Sequence, residues 1–321
     1  MKISRLALRG IASIPDMECD FGGGATGRPH DLIVVTGPPA SGKTRLLELM
    51  LAMLELVGPY QGIVRASDWM EDPARGARAE MDLFLDEGAA SSPPAPTAHA
   101  VVSFSATGVS SEIDRAVRRW LSRYDHDPAH GKREYFPEGR QRAWGARRDG
   151  LSAAEQALLR SSKDPQKYSF VPRFLAELRT DRSRAPRFAA ALELLSPSVR
   201  FAPASRTGDP TACFTDATPS SPRTGIPFDQ LSSSEADAVM IAATAALVGL
   251  DHSVVFLDRP ELYVPPDRLV AWVRSLSRLG DDNQWIVATS DQGLAGSVHK
   301  SQLVSLGMGS SSQGESQRRP S

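Results

Sequence analysis

Apolar and polar residues alternate at the start of the chain and again near residue 80, the period-two pattern of half-buried strands. Ile3, Leu6 and Leu8 mark the first strand, and Met17, Cys19 and Phe21 alternate with Glu18 and Asp20 in the second. Gly22 to Gly24 read as a turn. Met81, Leu83 and Leu85 alternate with Glu80, Asp82 and Phe84, a further strand covers about 100–104, and a proline-rich loop over 91–96 lies between them. Three short apolar runs do not alternate: Leu32-Ile33-Val34-Val35, Val254-Val255-Phe256-Leu257 and Trp285-Ile286-Val287-Ala288. Such runs fit strands covered on both faces, as in a parallel sheet.

Helical periodicity runs over 43–56, with Leu47, Met50, Leu51 and Leu54 on one face and Gly58-Pro59 as the stop. Further helical patterns cover about 111–124, 152–161, 170–179, 185–195, 233–249 and 266–278. The arginine-rich stretch 125–150 reads mostly as loop, and 203–226 as loop with short strands. A short strand is expected near Leu303, and 308–321 has the composition of a disordered tail.

Composition narrows the classes. The 321 residues carry an apolar share of 41%, enough for a sizeable core. Lys+Arg 37 against Asp+Glu 38 gives no global attraction to nucleic acid. Cys19 and Cys213 stand apart from any Cys/His cluster and read as reduced thiols. No apolar run has the length of a membrane span, and MKISRLALRG lacks the apolar core of a secretion signal. The expectation is a cytoplasmic protein without a membrane partner.

Gly37-Pro38-Pro39-Ala40-Ser41-Gly42-Lys43-Thr44 matches the phosphate-loop pattern G-x-x-x-x-G-K-[ST] in full, between a buried strand and an amphipathic helix. Backbone N–H groups of such a loop and helix N-terminus surround phosphates. Lys43 puts a positive charge on the β- and γ-phosphates, and Thr44 offers a hydroxyl to Mg²⁺. The expected ligands are ATP and Mg²⁺. The apolar strand ending in Asp258 is a Walker B candidate, with Asp258 on the magnesium side. Upstream, Leu231-Ser232-Ser233-Ser234-Glu235 precedes a helix. Ser232 and Glu235 also have the spacing of a capping box, and a capped helix N-terminus is itself suited to an anion.

Taken together these segments resemble an ABC-type ATPase of the stand-alone AAA15/AAA21 group, relatives of chromosome-structure and recombination-repair ATPases. LALRGIASIPDMECDFGGG is similar to that group's first hairpin, DLIVVTGPPASGKTRLLELM to its Walker A segment, and REYFPEGR to its middle segment. FDQLSSSEADAV resembles its signature, VVFLDRPELYVPP its Walker B motif, and WIVATSDQGL its switch segment. The resemblance implies an α/β P-loop fold of ABC-ATPase type, a mixed β-sheet flanked by helices with an inserted β-rich and helical lobe. Residues 1–59 would be the first part of the core, 60–225 the insertion, 226–307 the second part and 308–321 the tail. It also implies two subunits sandwiching ATP, with Ser232 and Ser234 reaching the nucleotide of the partner. The second subunit would be another copy or a related, more complete ATPase.

Three positions depart from the family pattern. Arg259 stands where the catalytic glutamate follows the Walker B aspartate, Ser290 where the switch histidine stands, and Ser234 where the signature has glycine. Arginine stays protonated and cannot take a proton from water. Lys43, Asp258 and, as a substitute base, Glu261 are the catalytic candidates. Glu261 reads equally as a surface or capping residue, and Gln61 is the candidate for the Q-loop glutamine. The function expected is slow or partner-dependent ATP hydrolysis. A nucleotide-gated scaffold without turnover is the alternative. DNA-associated repair or defence is a further reading by family analogy. The run from Arg140 to Arg148, with Trp144, reads either as a solvated loop or as a contact to DNA phosphates.

Overall fold

The computed structural model describes residues 1–23, 27–58, 64–85, 93–121, 133–140, 160–180, 183–202, 212–217 and 223–307. Residues 152–159 of the helix expected over 152–161, Gln61, Trp144 and the 308–321 tail lie outside the described residues.

Two sheets enclose one helix. Strands β1 (Lys2–Arg9), β2 (Met17–Asp20), β4 (Ala77–Phe84), β5 (Thr97–Ser105) and β6 (Gly108–Glu112) form an antiparallel sheet in the order β2-β1-β4-β5-β6. Strands β3 (Leu32–Thr36), β7 (Arg133–Phe136), β11 (Val254–Asp258), β12 (Gln284–Thr289) and β13 (Leu303–Ser305) form a parallel sheet in the order β13-β3-β12-β11-β7. Helix α1 (Lys43–Val57) packs between the sheets: Ile3, Leu6 and Leu8 of β1 share one buried cluster with Leu46, Met50 and Met53 of α1 and with Ile33 and Val35 of β3. Alternate residues of the parallel strands, such as Val34, Val255 and Val287, face the opposite layer. Burial on both faces is why these runs do not alternate.

That opposite layer holds α3 (Val171–Glu177), α4 (Ala185–Leu195), α5 (Ser233–Val248) and α6 (Pro266–Leu276). Helix α5 is apolar on nearly all sides and is buried accordingly. A small antiparallel sheet of β8 (Val199–Phe201), β9 (Ala212–Asp216) and β10 (Thr224–Pro227) joins this layer. Phe174, Phe188, Phe201 and Phe214 link α3, α4, β8 and β9 edge to face, with centroids 5.0–6.4 Å apart.

Two of the described strands within 60–225 pair with strands of the core sheets. β4 pairs directly with β1, and β7 pairs with β11. Within 125–150, expected as loop, residues 133–136 are the buried edge strand β7. The helix expected over 111–124 starts later, at Arg115 of α2 (Arg115–Leu121), because Ser111 and Glu112 pair with β5. Asp114 then starts the helix by accepting from the backbone N–H groups of Ala116 and Val117 at 2.7 and 3.2 Å. Gln284 stitches the sheets together. Its side-chain oxygen accepts from Ile3 N–H at 2.7 Å, and its amide donates to Ile3 and His30 carbonyls at 2.9 and 3.1 Å.

Candidate functional site

The carboxyl edge of the parallel sheet gathers the motifs. Thr36 at the end of β3 pairs with Thr289 of β12, and Ala288 of β12 pairs with Asp258 of β11. The segments leaving β3, β11 and β12 therefore emerge side by side, at the edge where open α/β sheets bind ligands.

The loop from Gly37 to Gly42 turns from β3 into α1. Gly42 has φ 91°, a left-handed value, and a Cβ there would lie 2.6 Å from the Ser13 carbonyl oxygen. At Gly37 a Cβ would meet the Leu306 carbonyl oxygen and lie 2.5 Å from Ser41 Oγ. Glycine is therefore required at both positions by close approach. No side chain caps α1, and its first turn has no acidic residue. The N-terminal N–H groups and helix dipole thus face the cleft without a capping side chain among the described residues.

Lys43 Nζ folds over the loop, donating to the Gly37 and Pro38 carbonyls at 2.8 Å each. Burial pulls this ammonium below the usual lysine range, Glu261 and Asp258 oppose the shift, and Arg259 adds to it. A cleft of about 430 Å³ opens here, lined among others by Ser41, Lys43, Thr44, Glu138, Arg259 and Ser290. A wider groove of about 1280 Å³ between residues 9–16, 71–78 and 103–107 adjoins the loop through Ser13.

Asp258 is fully buried, and among the described residues neither of its carboxylate oxygens has a hydrogen-bond partner of normal geometry. Burial pushes its carboxyl up to about 6, while the nearby Thr44 hydroxyl favours the charged form. A buried carboxylate left in this state is costly unless a cation faces it. Thr44 and Asp258 offer a hydroxyl and a carboxylate, the oxygen donors by which a magnesium ion could be held here. Among the described residues no group of three or more His, Cys, Asp or Glu is arranged to hold a metal by itself.

Glu261 is not a free surface carboxylate. It accepts from Thr289 Oγ1 at 2.9 Å and from the Ser290 N–H at 3.0 Å, tying the segment after β11 to the end of β12. Arg259 adopts φ 48° and ψ 60°, and its guanidinium donates to Glu138 Oε2 at 3.1 Å. At the start of α5, Ser232 and Glu235 form a reciprocal capping box. The Ser234 hydroxyl donates to the Tyr263 carbonyl, so it is directed at the segment following Asp258.

The sequence alone did not single out Glu138, Arg140 or Tyr263 in this site. Arg140, read from sequence as the first residue of a solvated or DNA-contacting run, is fully buried. It donates to Asp237 at 2.7 Å and to the Asp258 carbonyl at 2.7 Å. Arg142, Arg147 and Arg148 lie outside the described residues. Tyr263 donates from its hydroxyl to the Glu138 carbonyl at 2.8 Å, and the Arg140 guanidinium lies 4.6 Å above its ring. The REYFPEGR segment was the available signal for Glu138 and Arg140.

No family model and no curated protein matches the chain. Solved structures do. An SMC head bound to the C-winged-helix domain of ScpA is 14% identical, covers 95% of this chain and 94% of its own, and has TM-score 0.54. The SMC head domain from Thermotoga maritima is 14% identical, with coverage 93% and 92% and TM-score 0.51. An Smc head domain with an extended coiled coil, bound to the C-terminal domain of ScpA derived from Pyrococcus furiosus, is 14% identical, with coverage 94% and 92% and TM-score 0.55. The chain has the α/β fold of a P-loop NTPase of ABC-ATPase type. Among the described residues no helix is long and apolar enough to cross a membrane.

Proposed function

We propose that the chain binds ATP together with magnesium through residues 37–44 and hydrolyses it slowly as one half of a dimer in the cytoplasm. The observation that carries this reading is the juxtaposition of the α1 N-terminus with the buried Asp258 carboxylate beside Thr44. The triphosphate would lie against the loop N–H groups, with Lys43 released from the Gly37 and Pro38 carbonyls to the phosphates. Thr44 and Asp258 would hold the magnesium, which would supply positive charge against the phosphates. The groove beside Ser13 and Ile14 leaves room for the nucleoside. Ser232 and Ser234 at the α5 N-terminus would face the nucleotide of the second subunit, another copy or a related ATPase.

Titration with a fluorescent ATP analogue tests this reading. Saturable, magnesium-dependent binding is expected, weakened at least ~10-fold in Lys43→Ala through loss of a charge-assisted hydrogen bond. Binding that is unaffected by this substitution, or absent from the wild type, ends it.

A second reading, a nucleotide-gated scaffold without turnover, is favoured by Arg259 in the glutamate position and by the engagement of both Glu261 oxygens. Phosphate release by the purified chain separates the two.

A further inference from the structure

β7 and β11 are parallel neighbours with Phe136 opposite Leu257. Two residues beyond this pair lie Glu138 and Arg259, so both leave the sheet at the same level of its carboxyl edge. Both line the cleft that contains Lys43 and Thr44. The Glu138 side chain is 49% exposed and therefore meets water, and its charge is felt at Asp258. Its backbone is fixed from two directions. Tyr263 donates to its carbonyl at 2.8 Å, and Arg140 donates to the preceding Pro137 carbonyl at 2.8 Å. Arg259 holds Oε2 at 3.1 Å. Glu261, by comparison, has each oxygen engaged, one with Thr289 and one with Ser290, and its side chain is 17% exposed. A general base needs a lone pair directed at water within hydrogen-bond reach.

We propose that Glu138 is the carboxylate that takes the proton from the attacking water, and that Arg259 and Tyr263 are positioning residues that hold it in the cleft. The acidic group absent after Asp258 is thus supplied by the neighbouring strand. This rests on the ATP-binding reading above. In the step, the water oxygen bonds to the terminal phosphorus while the bond from that phosphorus to the bridging oxygen breaks. The bridging oxygen keeps the electron pair and leaves on ADP. One water proton passes to Glu138 and then to solvent, and the other stays on the released phosphate.

The test compares the full-length wild type with Glu138→Gln and Glu261→Gln. It follows affinity for a fluorescent ATP analogue with magnesium, single-turnover phosphate release, and the lifetime of the ATP-bound species on size exclusion. For Glu138→Gln, affinity within about threefold of wild type, release slowed at least ~100-fold and a longer-lived ATP-bound species are expected. Release within about threefold of wild type overturns the proposal. So does loss of release in Glu261→Gln alone, an affinity loss beyond about tenfold in Glu138→Gln, or a wild type that binds ATP and releases no phosphate. A wild type that fails to bind ATP is a different result and removes the ATP-binding reading itself.

Discussion

The Arg140 guanidinium reaches the Asp237 carboxylate on α5 at 2.7 Å, and from the same side chain donates at 2.7 Å to the Asp258 carbonyl at the tip of β11. The two side chains are 0% and 2% exposed, so removing either leaves an uncompensated buried charge. Asp237→Ala is expected to destabilise by about 3–5 kcal/mol in urea unfolding. Replacing both partners by apolar residues does not restore stability here, because the Phe136, Pro137 and Asp258 carbonyls also lose their donor. A double variant Arg140→Met, Asp237→Leu as stable as wild type contradicts this.

Gln284 makes the corresponding neutral link between the sheets. Gln284→Leu preserves shape approximately but strands the buried N–H and carbonyl of Ile3. Each unsatisfied group costs about 1–3 kcal/mol, whereas a satisfied hydrogen bond adds only about 1. The expected loss is about 2–6 kcal/mol on that basis. A change below about 1 kcal/mol in the denaturation midpoint analysis shows that the link is dispensable.

Arg259 sits in the left-handed region at φ 48°. For a residue of this kind that conformation is disfavoured by about 1–2 kcal/mol, while asparagine tolerates it. The exposed pair with Glu138 contributes about 0.2–1 kcal/mol in the other direction. Arg259→Asn is therefore expected to leave stability unchanged or raise it by up to about 1 kcal/mol. A loss above about 2 kcal/mol means that Arg259 carries structure beyond this pair.

Much of this architecture is legible in residues. The three unalternating runs became β3, β12 and β11 at the middle of the parallel sheet, because burial on both faces removes any polar side. β7 was hidden for the opposite reason. It begins with Arg133 and Glu134, both buried, and Glu134 is balanced by Lys167 at 2.9 Å from a distant turn. Alternation around residue 80 marked β4 but could not say that its partner is β1. At the site, the phosphate loop and the Asp258 strand follow local patterns. The Glu138–Arg259 pair depends on the register of two strands separated by much of the chain, which no local pattern records.

Cys19 gives a pH-dependent prediction. Burial pushes its thiol up to about 11, and the neighbouring Glu18 adds to the shift. The reactive form is the thiolate, and an unfolded cysteine ionises near about 8.5. Native Cys19 should therefore alkylate at pH 8 about 100-fold more slowly than the same residue in urea, read by peptide mapping. Above about 8.5 the unfolded chain releases a proton that the folded chain retains up to about 11. This thiol consequently lowers stability progressively as pH rises through that window. Native reaction at pH 8 within about threefold of the unfolded rate contradicts the shift.

In the parallel sheet, β3 is flanked by β12 and β13, which span Gln284–Thr289 and Leu303–Ser305. The strand that leads into the phosphate loop is made long before both of its neighbours. Pairings of such sequence separation form slowly, and a chain emerges at only about 5–20 residues per second. The nascent chain thus carries β3 with two open edges until residues 284–305 have been made, and open edges recruit foreign strands. A chain halted before residue 284 has the whole loop sequence and neither of the strands that flank β3.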